Sequence, residues 1–272
     1  MKISVIIPTY NRADFILRAI TSIEEQSILV DEIIVIDDGS KDETKNILKD
    51  QNVQYYYQDN KGVAAARNLG IKKAKNPWLA FLDSDDTWNN NKIEKHIDFH
   101  LNNKDIYASY SNEKWIRNGK VISLKKYQQK AQPTFINSLD LCKIGSSSFF
   151  AHKKVFENDL YFDESLPACE DYDLWLRILQ KYKIHLINEE LINKYAGHEN
   201  QLSFNTKLID IYRIYALEKH INSQYKKEVL EELLIKTTIL LKGAKKHKNK
   251  VILEKYADKL RSYEDFLNLS KL

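Results

Sequence analysis

Glycine is scarce, 7 in 272 residues, and is nowhere gathered into the closely spaced pattern with a following Lys-Ser or Lys-Thr that a phosphate-cradling P-loop requires. GVAAARN, residues 62–68, could be mistaken for one, but it reads as the start of a helix. Cysteine is rarer still. Cys142 and Cys169 form no zinc or redox spacing, which argues against a disulfide framework; with no signal-peptide pattern, the expectation is a reducing cytoplasm. No run approaches the ~20 uncharged apolar residues of a membrane span, since even EELLIKTTILLK is interrupted by Lys236 and two threonines. The lysines of the C-terminal region have few interleaved aromatics and no recognisable motif, so no nucleic-acid partner is expected.

What is present is enough for one good core. The chain is 43% hydrophobic and 29% charged, with a net charge of +4. Residues 206–272 hold 15 Lys/Arg against 9 Asp/Glu, a surplus of 6, so everything before them sums to about −2. ISVIIP and DEIIVIDD are short β-branched runs that read as buried parallel strands. Between them Phe15, Ile16, Ala19, Ile20 and Ile23 recur at helical spacing, and SKDETKNILKD offers Ser40 as an N-cap with Glu43 in capping-box position. VQYYYQ predicts a third strand, GVAAARNLGIKKA a third helix and PWLAFLD a fourth strand. The alternation implies a parallel α/β sheet, with PTYN, DDGS and DSDD converging at the carboxyl ends of its strands.

Beyond these, residues 90–103 predict a helix, DIYASYS a strand, WIRNGKVISL a hairpin around Asn118-Gly119, and GSSSFFAHKKVF a strand leading into a turn. EDYDLWLRILQKY predicts a helix over 170–182, and KIHLINEELINKY one or two short strands. From Lys207 onward only Gly243 and no proline interrupts a helical tail, so the expected division is a site-bearing domain over 1–205 and a helical region over 206–272.

In FLDSDDTWN three aspartates occupy four consecutive positions. Two like charges ~4 Å apart repel by ~4 kcal/mol at an effective dielectric of ~20, so such a cluster calls for a positive partner. Aspartates at alternate positions of a strand end can direct oxygens to one hard divalent cation; the alternative is an acidic helix cap.

PTYN at 8–11, IDDGS at 36–40, GVAAARN at 62–68, FLDSDDTW at 81–88 and EDYDLW at 170–175 together resemble, in order and separation, the large family two of inverting glycosyltransferases. The resemblance covers about residues 3–203 and implies a GT-A domain, a Rossmann-like fold that binds nucleotide-diphospho-sugars, followed by the α-helical tail. It implies that Pro8, Thr9 and Tyr10 wall the nucleotide base, that Asp38 hydrogen-bonds the base with Arg67 nearby, and that Asp83 reaches the ribose or the metal. Asp85 would be the direct ligand of Mn²⁺ or Mg²⁺, while Asp86 caps a helix. Asp171 would be the base that accepts the acceptor's proton, with Glu170 the second choice, Asp173 structural and Trp175 packed between helix and sheet. His198, in YAGHENQLS, either meets the metal or diphosphate or is simply exposed. Relatives often carry an arginine shortly before this histidine, where this chain has Lys194.

The activity implied is transfer of a sugar, from a UDP-sugar donor above others, to a hydroxyl of a glycan or lipid-linked glycan in surface polysaccharide or lipopolysaccharide synthesis, in the cytoplasm or at the inner face of its membrane. KGAKKHKNK, residues 242–250, either attracts anionic head groups or is a solvated turn between helices. Two rivals stand beside this reading. A sugar nucleotidyltransferase should open with a Gly-rich pyrophosphate loop, and PTYNRAD has no glycine; a non-catalytic nucleotide-binding scaffold has no need of complete motifs.

Overall fold

The structure, a computed structural model, describes residues 1–123, 131–197 and 208–269. Its centre is a sheet whose first four strands are parallel: β1 (Ile3–Thr9), β2 (Glu32–Asp37), β3 (Gln54–Tyr57) and β4 (Trp78–Phe81), in the order β3-β2-β1-β4. The sheet continues past β4 through β8 (Phe150–His152), β6 (Ala108–Arg117), β9 (Ile184–Ala196) and β5 (Thr87–Trp88), with β7 (Lys120–Ile122) paired to β6. β8 runs antiparallel to both of its neighbours, so the sheet is mixed rather than wholly parallel.

Every residue of β1 is buried, as its unbroken apolar run requires of a central strand covered on both faces. Alternate side chains feed two cores. Ile6 joins Ile34, Ile36, Ala66, Phe81 and Trp175 on one face, and Val5 and Ile7 join Ile20, Val35 and Leu82 on the other. Pro8 is tolerated in this central strand because pairing with β4 stops at Ile6, leaving no ladder hydrogen bond on that side for its absent N–H to make.

Helices α1 (Ile16–Glu24), α3 (Val63–Lys73) and α4 (Lys92–Asn102) flank the sheet, with the short α2 (Thr44–Ile47) after β2. α1 buries Ile16, Ala19, Ile20 and Ile23, the stripe that its spacing predicts. The expected cap of α2 is replaced: Ser40 lies outside the helix, and Asp42 Oδ1 accepts from the Thr44 amide at 3.0 Å and the Thr44 hydroxyl at 2.6 Å. Asp42 wins because it stands two residues before that amide, the natural reach of an aspartate side chain.

The hairpin forms where expected, with Asn118 and Gly119 at φ 50° and 73°, the left-handed pair of a two-residue turn. Its first strand, however, is continuous with DIYASYS as the ten-residue β6, and KIHLINEELINKY is one thirteen-residue strand. The two run parallel with register shifts at Ser111/Asn112 and Asn112/Glu113. Those bulges break the two-residue alternation that would have betrayed one long strand.

α5 (Glu170–Leu179) packs against the first core through Leu174, Trp175 and Ile178. α6 (Asp210–Glu218), α7 (Lys226–Lys246) and α8 (Lys250–Leu269) follow. Their apolar faces share a third core with Phe135, Leu139, Tyr172 and Leu176. Among the described residues no helix is long and apolar enough to cross a membrane.

Candidate active site

The carboxyl ends of β1 and β2 are tied together by their own loops. The Asp38 amide donates to the Thr9 carbonyl at 2.8 Å, the Asn11 amide to Ser40 Oγ at 2.8 Å, and the Lys41 amide to Asn11 Oδ1 at 2.8 Å. PTYN and DDGS therefore form one interlocked rim. Pro8 is buried within β1, Tyr10 is 42% exposed above it, and the hydroxyl of Thr9 is buried with no hydrogen-bond partner. A buried hydroxyl left unpaired costs free energy, which a ligand's polar group would relieve.

Asp38 has partners within the chain. Oδ1 accepts from the Gln58 side chain at 2.6 Å and the Lys61 amide at 2.8 Å, and Oδ2 from the Gly62 amide at 2.8 Å. This carboxylate holds the loop that starts α3, where Gly62 takes φ 92°. Asp37, which the motif alone did not single out, is fully buried and accepts from Tyr55 Oη at 2.7 Å and the Ser40 amide at 2.8 Å.

Arg67 joins three of the motifs. It is 4% exposed on α3, and Nη1 donates to Glu170 Oε1 at 2.6 Å while Nη2 donates to Asp83 Oδ1 at 2.8 Å. Its guanidinium also lies 5.2 Å from the Phe162 ring centre. The acid cluster at the end of β4 thus has a counter-charge from its own chain, 16 residues before Asp83, and the same arginine reaches Glu170 across 103 residues, a pairing that sequence spacing cannot reveal. Burial alone would raise the Asp83 carboxyl, but Arg67, Lys194 and Ser147 together hold it below the ordinary carboxylate range. Glu170 is raised by burial and by Asp171, against the pull of Arg67.

Asp86 is not a helix cap. It is 1% exposed, its Oδ2 accepts from Ser147 Oγ at 2.7 Å, and its Oδ1 accepts from the Tyr195 amide at 3.3 Å. The first turn of α4 begins only at Lys92, too far along the chain for Asp86 to reach. Burial, with Asp85 and Asp83 beside it, pushes the Asp86 carboxyl well above the usual range even though Lys194 opposes this. Ser147 is the hub that the sequence reading missed: its hydroxyl also accepts from the Asp83 amide at 3.1 Å, and its carbonyl accepts from Trp88 Nε1 at 2.9 Å. Three consecutive serines before two phenylalanines were the available signal, and the structure buries all three.

Lys194, on β9, is surrounded by Glu113, Asp86, Asp83 and Asp171; burial would lower its pKa, and these carboxyls hold it above the ordinary lysine value. Gly145 lets Glu113 into this cluster, since a Cβ there would lie 2.0 Å from Glu113 Oε1. On the opposite rim Arg18 Nη2 donates to the Asp85 carbonyl at 2.7 Å, and its guanidinium lies 3.7 Å from the Tyr195 ring centre. Asp171 begins α5 half-buried, its Oδ1 accepting from the Tyr172 amide at 2.7 Å. Cys142 is exposed as a residue, but its thiol is turned inward, donating to the Ile144 carbonyl at 3.3 Å; desolvation and then the neighbouring Asp171 raise its pKa. Asp173 is buried and paired with Arg177 and Lys219, each at 2.7 Å, and the Trp175 ring centre lies 4.2 Å from that of Phe149 at a tilt of 38°, both as expected of structural residues. His198 lies outside the described residues.

A model of glycosyl transferase family 2 matches residues 4–156, more than half of the chain. The chain belongs to glycosyl transferase family 2. An uncharacterised glycosyltransferase of Rickettsia felis is 37% identical over 194 residues, covering 70% of this chain and 32% of its own length. This chain thus spans about a third of that relative. The Escherichia coli protein WfgD, a UDP-Glc:alpha-D-GlcNAc-diphosphoundecaprenol beta-1,3-glucosyltransferase, is 34% identical over 210 residues, covering 75% of this chain and 80% of its own. The crystal structure of residues 1–349 of Staphylococcus aureus TarS in complex with UDP-GlcNAc superposes with a TM-score of 0.70 at 22% identity, over 87% of this chain and 72% of that one. The family 2 fold accordingly accounts for the mixed sheet with its parallel half and for the gathering of the motifs at one end of it.

Proposed function

We propose that this family 2 chain is an inverting, divalent-metal-assisted glycosyltransferase that moves a sugar from a UDP donor to a hydroxyl of a lipid-linked glycan in surface-polysaccharide synthesis. The lipid-linked acceptor follows the activity of WfgD, and it would bring the enzyme to a membrane surface, the cytoplasmic one in our reading. One observation carries the mechanism. Of the two acids that open α5, Glu170 is buried against Arg67 at 2.6 Å, whereas Asp171 remains half-exposed beside the cleft.

Inversion needs a base on the face opposite the leaving diphosphate, and Asp171 is the acid free of a salt bridge to Arg67 that can accept the acceptor's hydroxyl proton. Thr9 and Tyr10 would meet the nucleotide, Tyr10 by stacking on the base and Thr9 through its unpaired hydroxyl; Pro8 and Asp38 shape that rim. Arg67 positions Asp83 and Glu170.

Asp83 and Asp85 are assigned to a Mg²⁺ or Mn²⁺ ion, with His198 as an additional candidate. The donor set fits: both aspartates offer the carboxylate oxygens that hard cations prefer. Among the described residues no group of three or more His, Cys, Asp or Glu side chains is arranged to hold a metal, so substrate oxygens and water would complete the shell. Such an ion, when bound, would stabilise the charge developing on the diphosphate. Arg67 and Lys194 are already engaged by Asp83, Glu170, Asp171 and Glu113, so an anionic donor would enter a site that favours added positive charge.

The test compares Asp171→Asn and Glu170→Gln. Asp171→Asn keeps size and fold but removes the basic oxygen, so kcat should fall ~10²- to 10⁴-fold with UDP-sugar affinity nearly unchanged. Glu170→Gln should chiefly lower Tm, because Arg67 loses one of its two anions. Normal turnover by Asp171→Asn would overturn the assignment. Calorimetry of UDP with and without Mn²⁺, in the native chain and in Asp85→Ala, tests the metal in the same experiment; binding indifferent to Mn²⁺ removes it from the proposal.

A further inference from the structure

The α7–α8 hairpin ends in a concentration of positive charge that no part of the proposed chemistry uses. From Leu233 to Leu253 there is no Asp or Glu, while Lys242, Lys245, Lys246, His247, Lys248 and Lys250 are all exposed. The rest of α8 is balanced, with Lys255, Lys259 and Arg261 facing Glu254, Asp258, Glu264 and Asp265 along the same helix. Basic charge is therefore confined to the tip. Flanking it on the outer face of α7 are Ile235 and Ile239, one turn apart and 52% and 51% exposed, with Val251 72% exposed at the start of α8. The opposite face of α7 is committed, burying Leu233, Thr237, Leu240 and Ala244 against Ile252 and Tyr256.

The tip is rigidly built. The Asn249 amide donates to the Ala244 carbonyl at 2.9 Å and the Lys248 amide to the Lys245 carbonyl at 3.2 Å, the paired bonds that close a helix when the next residue is left-handed. That left-handed residue is Lys248, at φ 55°, in a place where glycine would be the unstrained choice. A lysine held there keeps the tip's charge unbroken. Halfway along α7, Lys236 Nζ donates to the Asp140 carbonyl at 2.6 Å, in the loop that carries Cys142 to the side of Asp171. Ten residues of helix, about 15 Å, separate Lys236 from Lys246. A surface that seats the tip thus sits at a fixed distance from the acceptor side of the cleft.

We propose that the basic tip of the α7–α8 hairpin, with Ile235, Ile239 and Val251 beside it, docks on an anionic lipid bilayer and holds the cleft at the depth of a lipid-linked acceptor's head. Exposed lysines meet the negative surface potential of anionic head groups, and the isoleucines and Val251 enter the boundary between head groups and acyl chains. The choice of a bilayer over another polyanion rests on the apolar residues, which phosphate-rich nucleic acid would leave in water. The biological sense of this surface rests on the lipid-linked acceptor proposed above, but the surface can be tested without it.

The experiment is flotation of the full chain with phosphatidylcholine vesicles, with and without phosphatidylglycerol, at low and high salt. The expected result is binding only to the anionic vesicles, weakened by salt. One lysine near such a surface is worth about a fivefold gain in partitioning, so Lys245→Gln, Lys246→Gln and Lys248→Gln combined should lose about a hundredfold. Ile239→Ser should weaken binding without changing its salt dependence. Lys248→Gly is expected to remain folded, with a raised Tm, yet to bind vesicles less well. UDP-sugar affinity is measured in every variant, so that a failed donor reading and a failed docking surface give separate results. Absence of binding, equal binding to neutral vesicles, or indifference to these substitutions overturns the proposal, as does a variant-sensitive preference for RNA over vesicles.

Discussion

At the scale of single residues, Arg67 is where the motifs become a site. Two of its guanidinium nitrogens hold two acids from different parts of the chain, so its loss leaves Asp83 and Glu170 repelling one another in a poorly solvated place. Breaking a buried pair by removing one partner typically costs ~3–5 kcal/mol, a large share of the ~5–15 kcal/mol that holds a domain together. Arg67→Leu is expected to lose stability of this order at neutral pH. The sign of its pH dependence follows from the acids left behind. Without Arg67 both carboxyls lose an influence that holds them down, so the folded variant binds more protons than the folded native protein and its deficit narrows as pH falls. Urea unfolding of both proteins at pH 7.5 and 5.5 checks this: the deficit should be smaller at the lower pH. The residue identities of this site were legible, because DSDD, ED and GVAAARN are local strings. Their pairing was not, because an arginine on a helix gives no sign of which acids its folded position will bring near.

Within elements, regular patterns read well and broken ones did not. β1, β2 and α1 bury the residues that their periodicity marks, whereas β9 hides its length behind bulges and α2 takes its cap from Asp42 in place of Ser40. α4 shows a further case. Lys92, His96 and His100 stand four residues apart along one side of the helix, and all three are buried. Ser109 Oγ lies 2.7 Å from His96 Nδ1 and 2.8 Å from His100 Nε2, while the Ile106 carbonyl lies 2.9 Å from His100 Nδ1. Lys92 Nζ has no hydrogen-bond partner and sits 4.3 Å from the Trp88 ring centre. Burial pushes His100 down to about 4 and Lys92 down to about 7, and burial with Lys92 and His100 nearby pushes His96 well below its ordinary value. His152 and His185 press on His100 in the same direction, while the Ile106 carbonyl opposes them. All three stripe groups are bases with depressed folded pKa values, so the unfolded chain binds more protons and stability rises with pH. Between pH 6.5 and about 4, His100 alone should remove roughly 2–4 kcal/mol. His100→Gln is expected to flatten that slope, whatever its effect on stability at pH 7, and unfolding midpoints from pH 4.5 to 7.5 measure it.

For the whole molecule, the question is whether the helices after residue 205 are an appendage or part of the scaffold of the site. The division at 205/206 remains our proposal for where sequence pattern and role change; the packing describes how the two regions hold together. Tyr172 and Leu176 of α5, with Phe135 and Leu139, are buried against α6 and α7. Polar ties cross the same boundary: Lys219 reaches Asp173 at 2.7 Å and Asp163 at 2.6 Å, and Lys236 reaches the Asp140 carbonyl at 2.6 Å. A chain ending at residue 205 uncovers those four side chains and leaves Asp173 with Arg177 alone. At ~1.5–3 kcal/mol for each large side chain returned to water, the loss is roughly 6–12 kcal/mol, comparable with the stability of an entire domain. α5 carries both Glu170 and Asp171, so its loosening would reach the site directly. The expected outcome is a truncated protein whose amide protection from hydrogen exchange is lowered throughout and lost altogether across α5, and which exposes apolar surface to a reporter dye. It should turn over poorly even on a soluble acceptor. A truncated chain with α5 fully protected and native activity on such an acceptor would show that the third core contributes nothing to the site, and that the helices serve only to place it.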